Sequence, residues 1–135
     1  MISKLEFGLH QSGLPLIAVN LFNYGANLLI DTGSNMNLID QQVYEYFKDA
    51  LPEPTEEVQN IETFYGIVEG NRIDVPFSFE NQEYEESFVL SALIAGISQR
   101  VYDDSGMEIH GILGNNFLMK HEWVLDFKNK EIYKQ

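Results

Sequence analysis

The sequence predicts a mostly β protein with one or two short helices, folded as a single domain over residues 1–135. Short apolar or alternating runs, separated by turns rich in Gly and Asn, follow one another along most of the chain. The one-sided apolar pattern of a longer helix is evident only in residues 41–51. A length of 135 residues suits one domain with a sizeable core but not comfortably two, and 44% hydrophobic residues is typical of a globular domain.

The first half of the chain is predicted to be a β-meander followed by a helix. Strands are expected over residues 5–10, 14–22, 26–30 and 36–39, with a turn at 23–25. Asp40 is placed to cap a helix that runs to about Leu51, where Pro52 stops it.

The second half is predicted to return to β structure. Strands are expected over residues 60–65, 67–79, 84–93, 123–127 and 131–133, with either a turn or a bulge at Gly70 and Asn71. Residues 94–106 are predicted to form a loop, in which 99–102 could be a short strand. Asn115 or Asn116 can cap a short helix that carries Phe117 and Leu118.

Composition excludes several classes of function. Eight basic against 21 acidic residues give a net charge of −13, so the chain lacks the basic footprint that nucleic acids and acidic membranes require. Solubility explains this acidity most simply, and a preference for basic peptides is the alternative. The chain has no Cys, which rules out disulfides and thiolate metal sites.

Metal, cofactor and membrane sites are not expected. His10, His110 and His121 lack the spacing of metal ligands, so we predict no metal and no organic cofactor. The acids of residues 80–86 are interpreted as a solvated hairpin face. No apolar run is long enough to span a bilayer, which predicts a cytoplasmic protein, or an exported one if a signal has been removed.

One stretch carries the chemistry. Residues 28–30 are Leu, Leu and Ile, a run typical of a strand buried on both faces, and Asp31 follows at its end. Gly33 would let the backbone adopt a conformation closed to other residues, while Thr32 and Ser34 could donate hydroxyl hydrogen bonds to the carboxylate. An ordinary Asp-Thr-Gly turn is the alternative explanation.

A second signature lies near the C-terminus. Ile112 and Leu113 precede Gly114, which can end a buried strand and pack closely against a neighbouring loop. With both signatures, the sequence resembles the retropepsin-like aspartic proteases, particularly the small bacterial and retroelement-type members. The resemblance rests on Leu-Ile-Asp-Thr-Gly-Ser at 29–34, Asn-Leu-Ile at 37–39, Ile-Leu-Gly at 112–114 and the segment 117–129.

The resemblance implies a closed, barrel-like acid protease lobe in which two Asp carboxylates about 3 Å apart share one proton and activate water. Asp104, in an Asp-Ser-Gly sequence, follows no buried apolar strand and is interpreted as a loop turn. The second acid is therefore expected from Asp31 of an identical partner in a homodimer.

The resemblance also implies roles for neighbouring residues. Thr32 would hydrogen-bond across the dimer axis, although a local turn bond is equally compatible with the sequence. Gly33 would donate its backbone amide to the carboxylate, and Ser34 would brace the outer carboxylate oxygen. Asn35 and Met36 would line the peptide groove.

Tyr65 and Gly66 are candidates for the tip of a flap over that groove; an ordinary hairpin is the alternative. The predicted function is an aspartic endopeptidase acting on peptide or protein substrates. A non-catalytic peptide-binding or dimerisation module with the same fold is the alternative.

Overall fold

The structure is a computed structural model that describes residues 2–4, 12–55, 57–63 and 66–134. Within these residues the chain forms ten strands: β1 Ile2–Lys4, β2 Leu16–Leu21, β3 Tyr24–Asp31, β4 Asn37–Asp40, β5 Glu57–Thr63, β6 Gly66–Phe79, β7 Gln82–Ser91, β8 Gly111–Gly114, β9 Trp123–Asp126 and β10 Glu131–Lys134. The helices α1 Gln41–Tyr46, α2 Leu93–Ser105 and α3 Asn115–Lys120 lie between them.

Six of the strands form a closed ring. Their order is β2-β3-β8-β4-β7-β6, and β6 returns to β2 through a pairing of Ser78 with Asn20. β5 pairs with β6 as a hairpin, and β1, β10 and β9 form a separate antiparallel sheet. The predicted mostly β, barrel-like architecture is confirmed.

Residues 28–30 of β3 are buried on both faces, as their continuous apolar run predicts. Leu28 and Ile30 point into the larger core cluster, whereas Leu29 points into a second cluster with residues of α2. Each of the three is at most 4% exposed. Since successive side chains of a strand alternate between faces, a strand with core on both sides must be apolar at every position.

The prediction of a loop over residues 94–106 is wrong, because this segment is the helix α2. Leu93, Ile94, Ile97 and Val101 recur at helical spacing, and all four pack in the second core cluster. Gly106 ends the helix in the left-handed conformation, with φ of 77°. The Asp-Ser-Gly sequence at 104–106 is therefore the end of a helix.

Three local predictions also need correction. α1 has the predicted Asp40 cap, whose carboxylate accepts from the Gln42 amide, but it ends at Tyr46. Gly70 lies within continuous β6, where a Cβ atom would approach the Leu90 carbonyl oxygen to 2.1 Å, and the bulge is in β5. α3 is capped by Gly114 and not by either Asn.

Candidate active site

Asp31 is the last residue of β3, which lies between β2 and β8 in the ring. β3 runs parallel to β8, which places Asp31 opposite Gly114, and β8 is antiparallel to β4 on its other side. The two signatures of the sequence, residues 29–34 and 112–114, are thereby adjacent strand ends of one sheet.

The two oxygens of the Asp31 carboxylate have different environments. Oδ1 accepts a hydrogen bond of 2.9 Å from the backbone N–H of Gly33, as predicted. Oδ2 is buried and has no hydrogen-bond partner among the described residues. Because an unpaired buried carboxylate oxygen is costly, this arrangement sacrifices stability at the strand end.

The conformation of the turn differs from the prediction at Gly33. Of the described glycines, only Gly13, Gly66 and Gly106 have positive φ, so Gly33 needs no conformation closed to other residues. The backbone N–H of Ser34 donates to the Asp31 carbonyl at 3.1 Å, which closes the turn.

Ser34 does not brace the outer carboxylate oxygen. Its side chain is 1% exposed, and its hydroxyl donates to the Met36 carbonyl at 2.7 Å. The Ser34 carbonyl accepts from the backbone N–H of Asn115 at 2.8 Å. Ser34 therefore fixes the loop after Asp31 to the start of α3, and its buried side chain is not open to a substrate in the single chain.

Gly114 is required for this packing. A Cβ atom there would lie 2.5 Å from the Met36 carbonyl oxygen and 2.7 Å from that of Ser34. The close approach of strand and loop was predicted from the sequence, and steric exclusion is its physical reason.

Asn37 is a site residue that the sequence interpretation missed. It is fully buried, its Oδ1 accepts from the Gly114 amide at 2.9 Å, and its Nδ2 donates to the Ser87 carbonyl at 3.1 Å. It thus ties β4 to β8 and β7 behind the Asp31 loop. The available signal was a polar residue at the head of the buried Asn-Leu-Ile strand.

The remaining predicted site residues that the structure describes are exposed or half-buried. Thr32, Gly33 and Asn35 are exposed, and Met36 is half-buried. Gly66 is exposed, has φ of 124° and pairs with Thr63 at the end of the β5–β6 hairpin. The other flap candidate, Tyr65, lies outside the described residues.

Two solved structures have the same arrangement of the chain. One is the retroviral protease-like domain of Ddi1 from Leishmania major, with a TM-score of 0.57, 10% identity, and coverage of 90% of this chain and 88% of that chain. The other is EIAV protease in complex with the inhibitor HBY-793, with a TM-score of 0.52, 17% identity, and coverage of 79% and 86%. The chain has a retropepsin-like fold.

At these identities the likeness establishes the fold. No family model matches the chain. No curated protein matches its sequence either. In the part of the chain that the structure describes, no helix is long and apolar enough to cross a membrane.

A second acid of this retropepsin-like fold was misjudged from the sequence. Glu86, predicted to belong to a solvated hairpin face, is 6% exposed. Its carboxylate accepts from Lys120 Nζ at 3.0 and 3.3 Å and contacts His121 Nε2. Glu86 thereby ties β7 to the end of α3. Its position two residues after buried Tyr84 on the same strand face was the signal for burial.

Proposed function

We propose that the chain is an aspartic endopeptidase that hydrolyses bonds within extended peptides, using Asp31 and the partner's Asp31 at a homodimer axis. The observation that carries the proposal is the Asp31 carboxylate, with one oxygen held by an amide and the other buried without a partner in the described chain. A proton shared with a second carboxylate satisfies such an oxygen.

The chemistry follows from the shared proton. Two carboxylates in contact cannot both be ionised, so the pair holds one proton between them. The ionised member removes a proton from water, and the protonated member polarises the peptide carbonyl oxygen. The roles then reverse, and the leaving amine receives a proton. The amide of Gly33 keeps the Asp31 carboxylate oriented throughout.

The other predicted site residues have supporting roles in this proposal. The Thr32 hydroxyl bonds across the axis to the partner loop and keeps the two acids in register. Asn35 and Met36 line the groove with their backbone, which can pair with an extended peptide as a strand does. Gly66, at the end of the β5–β6 hairpin, covers the groove, and Tyr65, which precedes it in the sequence, is the second flap candidate. Ser34 acts indirectly, because it holds the loop.

The first test compares wild type with Asp31→Asn and Asp104→Asn. A peptide library is incubated with each protein from about pH 3.5 to about pH 7.5, the range in which such carboxylates titrate. We expect cleavage by wild type and by Asp104→Asn, whose exposed carboxylate lies at the end of α2, and none by Asp31→Asn. Cleavage that persists in Asp31→Asn would contradict the proposal.

Mixing experiments test the shared dyad. Wild type and Asp31→Asn are refolded together in different proportions. If each site needs both acids, the activity that remains is proportional to the square of the wild-type fraction. Activity directly proportional to the wild-type fraction would show that one chain suffices for catalysis. The oligomeric state is measured by light scattering at the assay concentration. A stable dimer that cleaves no peptide would favour the non-catalytic peptide-binding module.

A further inference from the structure

A cleft of about 590 Å³ lies on the side of the molecule formed by α1, α2 and the start of β3. This volume is within the range of ligand-binding pockets. Tyr24 lies in its wall and is seven residues before Asp31 on β3, about 23 Å along an extended strand. The cleft is thus remote from Asp31, which does not line it.

Aromatic rings form much of the wall. Tyr24, Tyr46 and Tyr102 come from β3, α1 and α2, and their side chains are 55%, 68% and 51% exposed. Tyr46 packs edge-on against Tyr24, with ring centroids 5.6 Å apart, and against Phe47 at 4.8 Å. Three half-exposed tyrosines around one opening present ring faces that attract cations.

The Tyr46 hydroxyl stays neutral at physiological pH. A hydrogen bond with the Tyr24 hydroxyl raises the pKa of Tyr46 above its ordinary value of 10.0. Tyr46 therefore contributes an aromatic ring and a neutral hydroxyl group, while the charge of the cleft comes from its carboxylates.

The polar lining is anionic. Asp40 and Glu108 contribute carboxylates, and no Lys or Arg of the described part of the chain lines the cleft. His110 accepts a hydrogen bond on Nδ1 from the Asn27 amide at 3.0 Å. Its other ring nitrogen, Nε2, therefore carries the proton of the neutral ring and faces Glu108 at 3.5 Å. The cleft combines aromatic faces with negative charge, in a chain of net charge −13.

We propose that this cleft binds an arginine side chain within an extended basic peptide segment of a partner protein. A planar guanidinium stacks on aromatic rings and binds a carboxylate through two parallel hydrogen bonds. The tyrosines supply the first contact and Glu108 the second, while the negative field of the chain attracts the segment. The inference is independent of the proposed catalysis, since it uses no residue of the Asp31 loop.

Binding of the probe acetyl-Gly-Gly-Arg-Gly-Gly-amide tests the proposal. The full chain carrying Asp31→Asn is used, so that the probe is not cleaved, and affinity and contact residues are read from amide chemical shifts. The control probe has citrulline in place of arginine, which keeps the shape and removes the charge. We expect shifts at Tyr24, Tyr46 and Glu108, with at least about tenfold weaker binding of the citrulline peptide.

Four substitutions in that background make the test specific. Tyr46→Ala should weaken binding about threefold to fivefold and Glu108→Gln about threefold to tenfold. Tyr46→Phe keeps the ring and should bind like the parent, as should Glu53→Gln, an exposed acid outside the cleft. Equal affinity for both probes, shifts confined to the Asp31 loop, or self-association through the tyrosines that excludes the peptide would each overturn the proposal.

Discussion

Two acids with buried carboxylate oxygens have opposite environments. Glu86 is paired on both carboxylate oxygens, by Lys120 and His121. Asp31 has one oxygen held by the Gly33 amide, while the other is buried without a partner in the described chain.

The difference separates an acid that stabilises the fold from one that is suited to chemistry. A carboxylate with both oxygens paired is held in place by its partners, and its removal leaves those partners uncompensated. A partly paired carboxylate can take up a proton or approach a second acid at little cost to its surroundings. Four predictions can break or sharpen this comparison, and they follow in the order of the effect expected from the leading substitution of each.

The largest effect is expected from Asp31→Asn. Peptide cleavage should fall by a factor of about a hundred to ten thousand, because the general base is removed. Thermal stability should be equal or higher, since a neutral amide replaces a carboxylate with an unpaired buried oxygen. Measuring kcat/KM and the thermal midpoint on the same preparation checks both parts. A large drop in midpoint would show that Asp31, too, stabilises the fold.

Glu86→Gln should have the reverse profile. We expect the free energy of unfolding to fall by about 2 kcal/mol, since hydrogen bonds to charged groups are lost in a buried setting, with Lys120 free to turn to water. Activity per folded molecule should be unchanged. Urea denaturation provides the measurement, with exposed Glu85→Gln as the matched control from the same strand. Equal stability of the two variants would contradict the assignment.

Tyr84→Phe tests whether a polar group near Glu86 lacks a hydrogen-bond partner. The Tyr84 hydroxyl is buried and has no hydrogen-bond partner in the described chain. Burial, and after it the Glu86 charge, raises the pKa of Tyr84 above its ordinary value of 10.0.

Removing this hydroxyl should therefore change stability by less than about 1 kcal/mol, in the stabilising direction. The aromatic ring of Tyr84 is the part that stabilises the fold, because it stacks on Phe77 with ring centroids 5.4 Å apart. Tyr84→Ala should accordingly cost about 3 kcal/mol. A Phe variant as unstable as the Ala variant in urea would mean that the hydroxyl is bonded after all.

Local patterns account for what could be predicted from the sequence. The run Leu28 to Ile30 predicts a doubly buried strand by itself, and Asp31 follows it in the chain. Gly114 was found because it closes an equally apolar strand. Both observations concern residues within one short segment, where propensity and sequence patterns are informative.

Two missed features, the pairing of Glu86 and the role of Asn37, depend on residues distant in sequence. Glu86 lies 34 residues before Lys120, so the strand alternation could indicate its burial but not the cation that pairs with it. Asn37 bonds Gly114 across 77 residues.

α2 was missed for a local reason, because Gly96 and several polar residues interrupt an apolar face that tertiary packing completes.

Substitution of a third acid, Asp126, should have the smallest effect on stability. This residue is half-buried, and hydrogen bonds from the backbone and then the side chain of Asn129, at 3.0 and 2.7 Å, lower the pKa of Asp126 below its ordinary 3.8. A pKa depressed on folding stabilises the protein above the unfolded value, and this contribution is lost as the pH falls through the folded value. Asp126→Asn should therefore flatten the stability profile only below about pH 4, the range set by ordinary carboxyl titration, and Asn129→Ala should do so in part. If either variant instead altered stability at neutral pH as strongly as Glu86→Gln, burial would not be what separates a structural acid from a surface one.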